Sequence, residues 1–172
     1  RIGALASITD IAESSLVGGV YVGANARARF ENCAIEDCRA GGPRVRGYGG
    51  AGFIDLGGSL ECISCTLARN EAVQYVEKAS TYYQGTFGGQ ECSLLLDDCL
   101  ISESGEIAIT AGISTVIANS TFYRSWGITV RDGELHLLGS KILRGGTSRI
   151  VRCTAWITSS EIVGNGGPYG AI

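Results

Sequence analysis

Six copies of one short motif constrain the fold of this chain more than any other feature of its sequence. Each copy reads apolar residue, any residue, small polar residue, small residue, any residue, apolar residue. The copies begin at Phe30, Cys62, Leu96, Ile117, Leu138 and Ile157. A period near 21 residues with two enlarged intervals is typical of a solenoid that carries loop insertions in two coils. We place those insertions near residues 40–50 and 73–88.

The residues between the motifs indicate short strands. In the regular part of the chain, three extended pieces (107–109, 115–117 and 120–122) are separated by Gly, Asn or Ser, and no helical apolar stripe is present. The chain is 45% hydrophobic and has 26 glycines but 2 prolines, as expected for many tight turns between strands. These features predict an all-β fold, a right-handed parallel β-helix of about six coils with three short strands each. We expect one domain over residues 1–172, within a longer protein.

Stacking of the coils would turn equivalent residues into columns. Two apolar columns should face inward. The first holds the six residues that open the motifs, and the second holds Ile35, Leu67, Ile101, Phe122, Leu143 and Ile162. A column of small residues should also face inward, with Lys141 as its exception. It holds Cys33, Cys65, Cys99, Ser120, Lys141 and Ser160.

The seven cysteines leave two interpretations open. Cys33, Cys65 and Cys99 could stack as buried thiols, or two of them in adjacent coils could form a disulfide, because a step of about 4.8 Å lies within the Cα range of a bridge. The Cys62-x-x-Cys65 spacing is also that of zinc and redox sites, but both cysteines fall in repeat columns, Cys65 with Cys33 and Cys99, which favours structural roles. A zinc site would need a second CxxC or histidines, and His136 is the one histidine. We therefore expect no metal and no cofactor.

Two segments resemble the repeats of a known superfamily. Residues 18–22 followed by 30–40, and residues 49–54 followed by 59–72, resemble the "GGA(I/V)…FxNCxFxxN" units of pectin-lyase-like β-helices. The style is closest to the surface repeats of polymorphic outer membrane proteins. Cys33 and Gly52 depart from the usual pattern. The resemblance implies a β-helix in an extracellular, cell-surface or lumenal structural protein, whereas enzymes of the superfamily cleave acidic polysaccharides with aspartate clusters and basic residues.

The sequence offers no complete catalytic set. Asp97 and Asp98 resemble paired hydrolase aspartates, but Asp98 stands in a turn column where Asn and Ser serve equally well, and His136 lies between leucines. The net charge of −3 and the pI near 5.2 argue against non-specific nucleic-acid binding. No apolar run reaches the roughly 18 to 20 residues of a membrane helix.

Aromatic and basic side chains are concentrated at the two insertions. Both insertions follow the same corner of consecutive coils, so we expect them to emerge side by side on one surface, the loop flank. Its candidate binding residues are Arg44, Arg46, Tyr48, Tyr75, Tyr82, Tyr83, Tyr123, Arg124 and Trp126. Tyr, Trp and Arg are enriched at recognition surfaces. The alternative is that the loops fold back and shield the coil. Asn119-Ser120-Thr121 matches the N-glycosylation pattern.

Three functions remain at this point. The first is a non-catalytic structural or adhesive segment that presents loops to other protein subunits or to glycans. The second is a polysaccharide lyase or hydrolase, and the third is a carbohydrate-binding module. The missing catalytic set favours the first.

Overall fold

The computed structural model describes residues 17–41, 47–72, 85–146 and 148–163. Within these ranges the chain forms twenty short strands and no helix. The strands are β1 (Val20–Val22), β2 (Arg27–Glu31), β3 (Ala34–Glu36), β4 (Arg39–Ala40), β5 (Gly52–Ile54), β6 (Ser59–Ile63), β7 (Thr66–Ala68), β8 (Glu71–Ala72), β9 (Phe87–Gln90), β10 (Ser93–Asp97), β11 (Leu100–Ser102), β12 (Ile107–Thr110), β13 (Ser114–Ala118), β14 (Thr121–Tyr123), β15 (Ile128–Arg131), β16 (Glu134–Leu138), β17 (Lys141–Leu143), β18 (Arg149–Val151), β19 (Thr154–Thr158) and β20 (Glu161–Val163).

Three parallel sheets of six strands each build the molecule. The first sheet has the order β1-β5-β9-β12-β15-β18, the second β2-β6-β10-β13-β16-β19, and the third β3-β7-β11-β14-β17-β20. Neighbours in every sheet belong to successive coils, so the chain winds through all three sheets once per coil. This arrangement confirms the predicted parallel β-helix of six three-stranded coils. A short pair, β4 with β8, extends the first two coils.

The core is formed by the inward columns of the three sheets. In the second sheet, Leu60, Leu94 and Leu135 share one column with Thr115, and all four are at most 2% exposed. The core contains four further inward columns, and their fully buried members come from the central coils. Among these are Ile54, Cys62, Leu67, Phe87, Leu96, Ile101, Ile107, Ile109, Ile117, Phe122, Ile128, Val130, Leu137 and Ile142. Strands of two to five residues are long enough to form this core, because each inward side chain packs on its equivalents in the coils above and below.

In the fifth coil the predicted register is wrong by one residue. Ile117 pairs with Leu137 rather than Leu138, and Phe122 pairs with Ile142 rather than Leu143. Leu137 and Ile142 are buried, whereas Leu138 and Leu143 lie on the outer face. The sequence is ambiguous here because each apolar position of this coil is followed or preceded by a second apolar residue, so that two registers fit the pattern.

The corrected register removes the exception in the small column. Ser140 takes the inward position, and Lys141 lies outside, where its ammonium is 3.7 Å from the Glu161 carboxylate. The column is therefore Cys, Cys, Cys, Ser, Ser, Ser over the six coils.

Each coil turns at three corners, and nearly every corner contains a residue in the left-handed region. The corner before the small column is formed by Asn32, Ser64, Asp98, Asn119, Gly139 and Ser159, with φ between 49° and 56°. Asn and Asp tolerate this conformation better than most residues, and Gly adopts it without strain. The short polar residues at this corner thus reflect backbone geometry.

Hydroxyl groups satisfy the backbone behind these corners. Ser120 Oγ donates to the Ala118 carbonyl and accepts from the Cys99 N–H, and Ser140 Oγ accepts from the Ser120 N–H in turn. The Ser160 hydroxyl accepts from the Ser140 N–H at 3.2 Å. A buried N–H without a partner is costly, so small polar residues at this position hold consecutive coils together.

Candidate functional site

The two insertions begin and end next to each other. Arg39 pairs with Glu71 in the β4–β8 ladder, and their side chains form an ion pair at 3.3 Å. Where the chain returns, the Gly50 N–H donates to the Gly85 carbonyl at 2.6 Å. The loop flank therefore lies between the third and first sheets, as the repeat spacing indicates. Five of its predicted residues lie outside the described ranges. They are Arg44, Arg46, Tyr75, Tyr82 and Tyr83.

Trp126 occupies the same corner in the fourth coil. Its side chain is 67% exposed, and its backbone N–H donates to the Ser104 carbonyl. Gly105 and Gly146 hold the equivalent positions in the coils on either side. A Cβ at Gly146 would overlap the Trp126 carbonyl oxygen, so this neighbour has to stay without a side chain. The exposed indole thus has a glycine at the equivalent position of the coil on either side.

Tyr123 and Arg124 lie beside this corner. The Arg124 guanidinium lies 5.2 Å from the centre of the Tyr123 ring and 3.7 Å from the Glu103 carboxylate. Tyr123 is half-buried at the outer end of β14, and Arg124 forms the left-handed corner that follows. Both side chains are therefore already engaged within the fold.

Tyr48 belongs to a different surface. Its ring meets Phe53 edge-on at 5.6 Å, and Phe53 stacks on Tyr21 at 6.4 Å with an interplanar angle of 3°. The Tyr21 hydroxyl donates to Asp55 at 2.7 Å, which lowers the pKa of that carboxyl. Sequence analysis did not predict this aromatic cluster on the first sheet. Its signal in the sequence is that Tyr21 and Phe53 are equivalent residues of successive coils.

Asp97 and Asp98 link coils to one another. Asp98 accepts a hydrogen bond from Ser64 in the preceding coil at 2.9 Å, and Asp97 accepts one from the Asn119 amide in the next coil at 2.9 Å. Each carboxylate therefore already accepts a hydrogen bond from a side chain of a neighbouring coil. The same contact occupies the amide nitrogen of Asn119, the predicted glycosylation acceptor.

His136 lies on the outer face of the second sheet. Its ring stacks on Trp156 of the next coil at 4.3 Å, and Nε2 lies 3.8 Å from the Glu134 carboxylate. The side chain of His136 is 30% exposed. Trp156 is 44% exposed, so the pair forms an aromatic surface at the last described coil.

All seven cysteines are free thiols, so the disulfide that the spacing allowed is not formed. Cys33, Cys65 and Cys99 do occupy equivalent positions in consecutive coils. Each thiol instead donates to backbone carbonyls, as Cys99 does to those of Cys62 and Asp97 at 3.3 Å. Burial raises the pKa of Cys99 to about 11 and that of Cys92 to about 12, and it also raises the pKa of Cys62. These thiols serve as small core groups.

One carboxyl group is buried beneath the outer surface of the first sheet. Glu106 is 9% exposed and is hydrogen-bonded to the Thr129 hydroxyl. Desolvation raises the pKa of Glu106 to about 7, opposed in part by the Thr129 hydrogen bond and by the nearby Arg149 charge. The sequence pattern does not mark this residue, because its burial depends on packing between coils.

Among the residues in the four described ranges, no group of three His, Cys, Asp or Glu side chains is arranged to hold a metal ion. The same part of the chain contains no helix able to cross a membrane. No protein-family model, curated protein or solved structure matches this sequence significantly.

Proposed function

We propose that this chain is a non-catalytic structural and adhesive β-helix segment of an extracellular or surface assembly, which presents the loop flank to a partner. The observation that carries the proposal is the position of the insertions. They leave adjacent strands, β4 and β8, and the same row of corners exposes Trp126 two coils further along. A coil with both insertions on one side is suited to display them.

The charged residues of the outer surface support a scaffold. Arg69 forms a bidentate hydrogen bond with Asp37 of the preceding coil at 2.6 and 2.8 Å, and Arg152 does the same with Asp132 at 2.6 Å to each oxygen. Bidentate pairs add geometric specificity to the contact. These carboxylates join neighbouring coils, and each is bound by a guanidinium group.

A carbohydrate-binding role is the second candidate, and the exposed indole of Trp126 favours it. An aromatic face with glycine on either side is accessible to a flat apolar ligand surface, such as the C–H face of a sugar ring. Tyr and Trp combine a large apolar area with a polar edge, which suits ligands of mixed polarity. Partners of the chain are thus other protein subunits or glycans. The extracellular location rests on the resemblance of the repeats, and the free thiols add no support to it.

The proposal is tested by measuring binding and turnover on the same samples. The 172-residue chain is applied to an array of neutral and acidic glycans and is incubated separately with polygalacturonate and alginate. We expect Trp126→Ala to weaken any glycan affinity at least about tenfold, because a central aromatic contact dominates small interfaces. Ile113→Ala, which truncates a side chain that is 59% exposed at another corner, is the matched control.

Two results would contradict this proposal. One is the release of unsaturated or reducing sugar ends from either polysaccharide, which would establish an enzyme. The other is equal glycan binding by the wild type and the Trp126 variant, which would show that the loop flank does not contribute to that binding through Trp126.

A further inference from the structure

Among the described residues, the second sheet has the longest strands and so presents the broadest regular outer face. Six strands of five residues, β2, β6, β10, β13, β16 and β19, lie side by side. Both insertions leave the coil between the third and first sheets, so their roots are away from this face. At about 3.4 Å per residue and about 4.8 Å per strand, the face measures roughly 500 Å².

Apolar side chains lie at the middle of this face, beside the Asp97 carboxylate, which accepts a hydrogen bond from the Asn119 amide. The central outward residue of each strand forms one column, in which Leu95 and Val116 occupy the third and fourth coils. A neighbouring outward column carries Ile63 in the second coil and Leu138 in the fifth. All four side chains are partly exposed. Large side chains of this type normally point into the core on a sheet that faces water.

The ends of the central column carry complementary groups. Arg29 begins it and is ion-paired with Glu61 of the second coil at 2.9 Å and with Glu31 of its own strand. His136 and Trp156 end it as a stacked pair. The order along the axis is therefore cation, carboxylate, two apolar residues, imidazole and indole.

We propose that this face forms a symmetric dimer with a second copy of the chain, with the two helix axes antiparallel. A two-fold axis parallel to the strands, between the third and fourth coils, places each coil opposite its counterpart counted from the other end. Leu95 then faces Val116 of the second copy, and Ile63 faces Leu138. An isologous contact requires such a self-complementary order.

The charged and aromatic groups match in the same arrangement. Arg29 faces the indole of Trp156, where a cation–π contact is favourable, and the carboxylate of Glu61 faces His136. With parallel axes, Arg29 would face Arg29 and Glu61 would face Glu61. Like charges across an interface are costly, so the charge order selects the antiparallel dimer.

The size of the face predicts a concentration-dependent dimer. The two copies together would bury about 1,000 Å², close to the lower limit of specific interfaces. We therefore expect association in the micromolar range, seen by sedimentation velocity over a concentration series of the 172-residue chain. A chain that stays monomeric throughout that range overturns the proposal.

A charge at the centre of the face should prevent the dimer. We expect Val116→Arg to weaken association at least about tenfold, because two guanidinium groups would be brought next to the symmetry axis. Leu100→Arg, the same kind of change at a residue that is 45% exposed on the third sheet, should dimerise as the wild type does. Circular dichroism of both variants checks that each is folded. Equal dimerisation of folded Val116→Arg overturns the proposed face.

Mixing variants tests the antiparallel order. Glu61→Lys and His136→Glu should each weaken the homodimer, whereas an equimolar mixture should form a heterodimer, detected by native mass spectrometry at its intermediate mass. In that heterodimer the ammonium introduced at position 61 of one copy faces the carboxylate introduced at position 136 of the other, and the second pair is unchanged. If Glu61→Lys instead pairs best with the wild type, the axes are parallel and the proposed order is wrong.

Discussion

Burial changes the acid–base behaviour of Glu106 more than that of the exposed carboxylates. The group lies 9% exposed against Thr129, and its pKa is about 7 instead of the ordinary 4.5. The folded chain therefore holds this proton through a pH range in which the unfolded chain has already released it. Proton binding by the folded state makes its stability depend on pH.

The stability of the folded chain should therefore fall as Glu106 ionises. Because the pKa of Glu106 is raised on folding, its protonated form stabilises the folded chain, and the free energy of unfolding falls as pH rises from about 4.5 to about 7. The loss is at most ~3 kcal/mol. In Glu106→Gln, a neutral side chain of the same shape, this fall should be absent. Urea unfolding at several pH values measures it.

Glu91→Gln serves as the control for Glu106, because Glu91 is an exposed carboxylate at a neighbouring corner. Its curve of stability against pH should follow that of the wild type. If Glu106→Gln follows the wild type as well, Glu106 is ionised in the folded chain and is better solvated than its burial indicates.

Within strand β16, the position of a residue decides how much its side chain contributes to the free energy of unfolding. Leu137 is 2% exposed in the core, and Leu138 lies on the outer face. Leu137→Ala should lower the free energy of unfolding by about 2 to 5 kcal/mol through lost contacts and the cavity left behind. Leu138→Ala in the same strand should cost less than about 1 kcal/mol. Urea unfolding of both variants measures the difference, and equal losses would contradict the register of the fifth coil.

The strands could be predicted because their patterns repeat. The register could not be predicted at the points where two apolar residues are adjacent in the sequence. Either Leu137 or Leu138 fits the inward period, and either Ile142 or Leu143 fits the next strand. The residue that decides between them is Gly139, with φ of 56° at the corner, and its role shows only after the coils are aligned.

The candidate site was less predictable because it depends on packing between coils. The repeat spacing alone predicted that the two insertions are adjacent, because equivalent corners of successive coils must stack. The cluster of Tyr21, Tyr48 and Phe53 joins residues from different coils on an outer face, and no local pattern marks it. The burial of Glu106 likewise depends on its neighbours in other coils.

For the whole molecule, the thiols report how far the coil opens. Cys62, Cys65, Cys92 and Cys99 are at most 3% exposed. Burial also raises the pKa of Cys62, Cys92 and Cys99, which leaves little thiolate on these three at neutral pH. We expect iodoacetamide to modify the half-buried Cys33, Cys38 and Cys153 first and the four buried cysteines only after unfolding. Mass spectrometry of the alkylated peptides over time measures the order. Early labelling of Cys62 would show that the central coils open locally.

The fourth coil contains one residue more than its neighbours at the corner between the first and second sheets. Two residues separate Gln90 from Ser93, but three separate Thr110 from Ser114, and the strands on both sides keep their pairing. The added residue leaves Ile113 59% exposed, with its N–H still donating to the Cys92 carbonyl. This corner is therefore a suitable site for grafting a foreign peptide epitope. The chain is already one residue longer here, and the strands on either side keep their pairing.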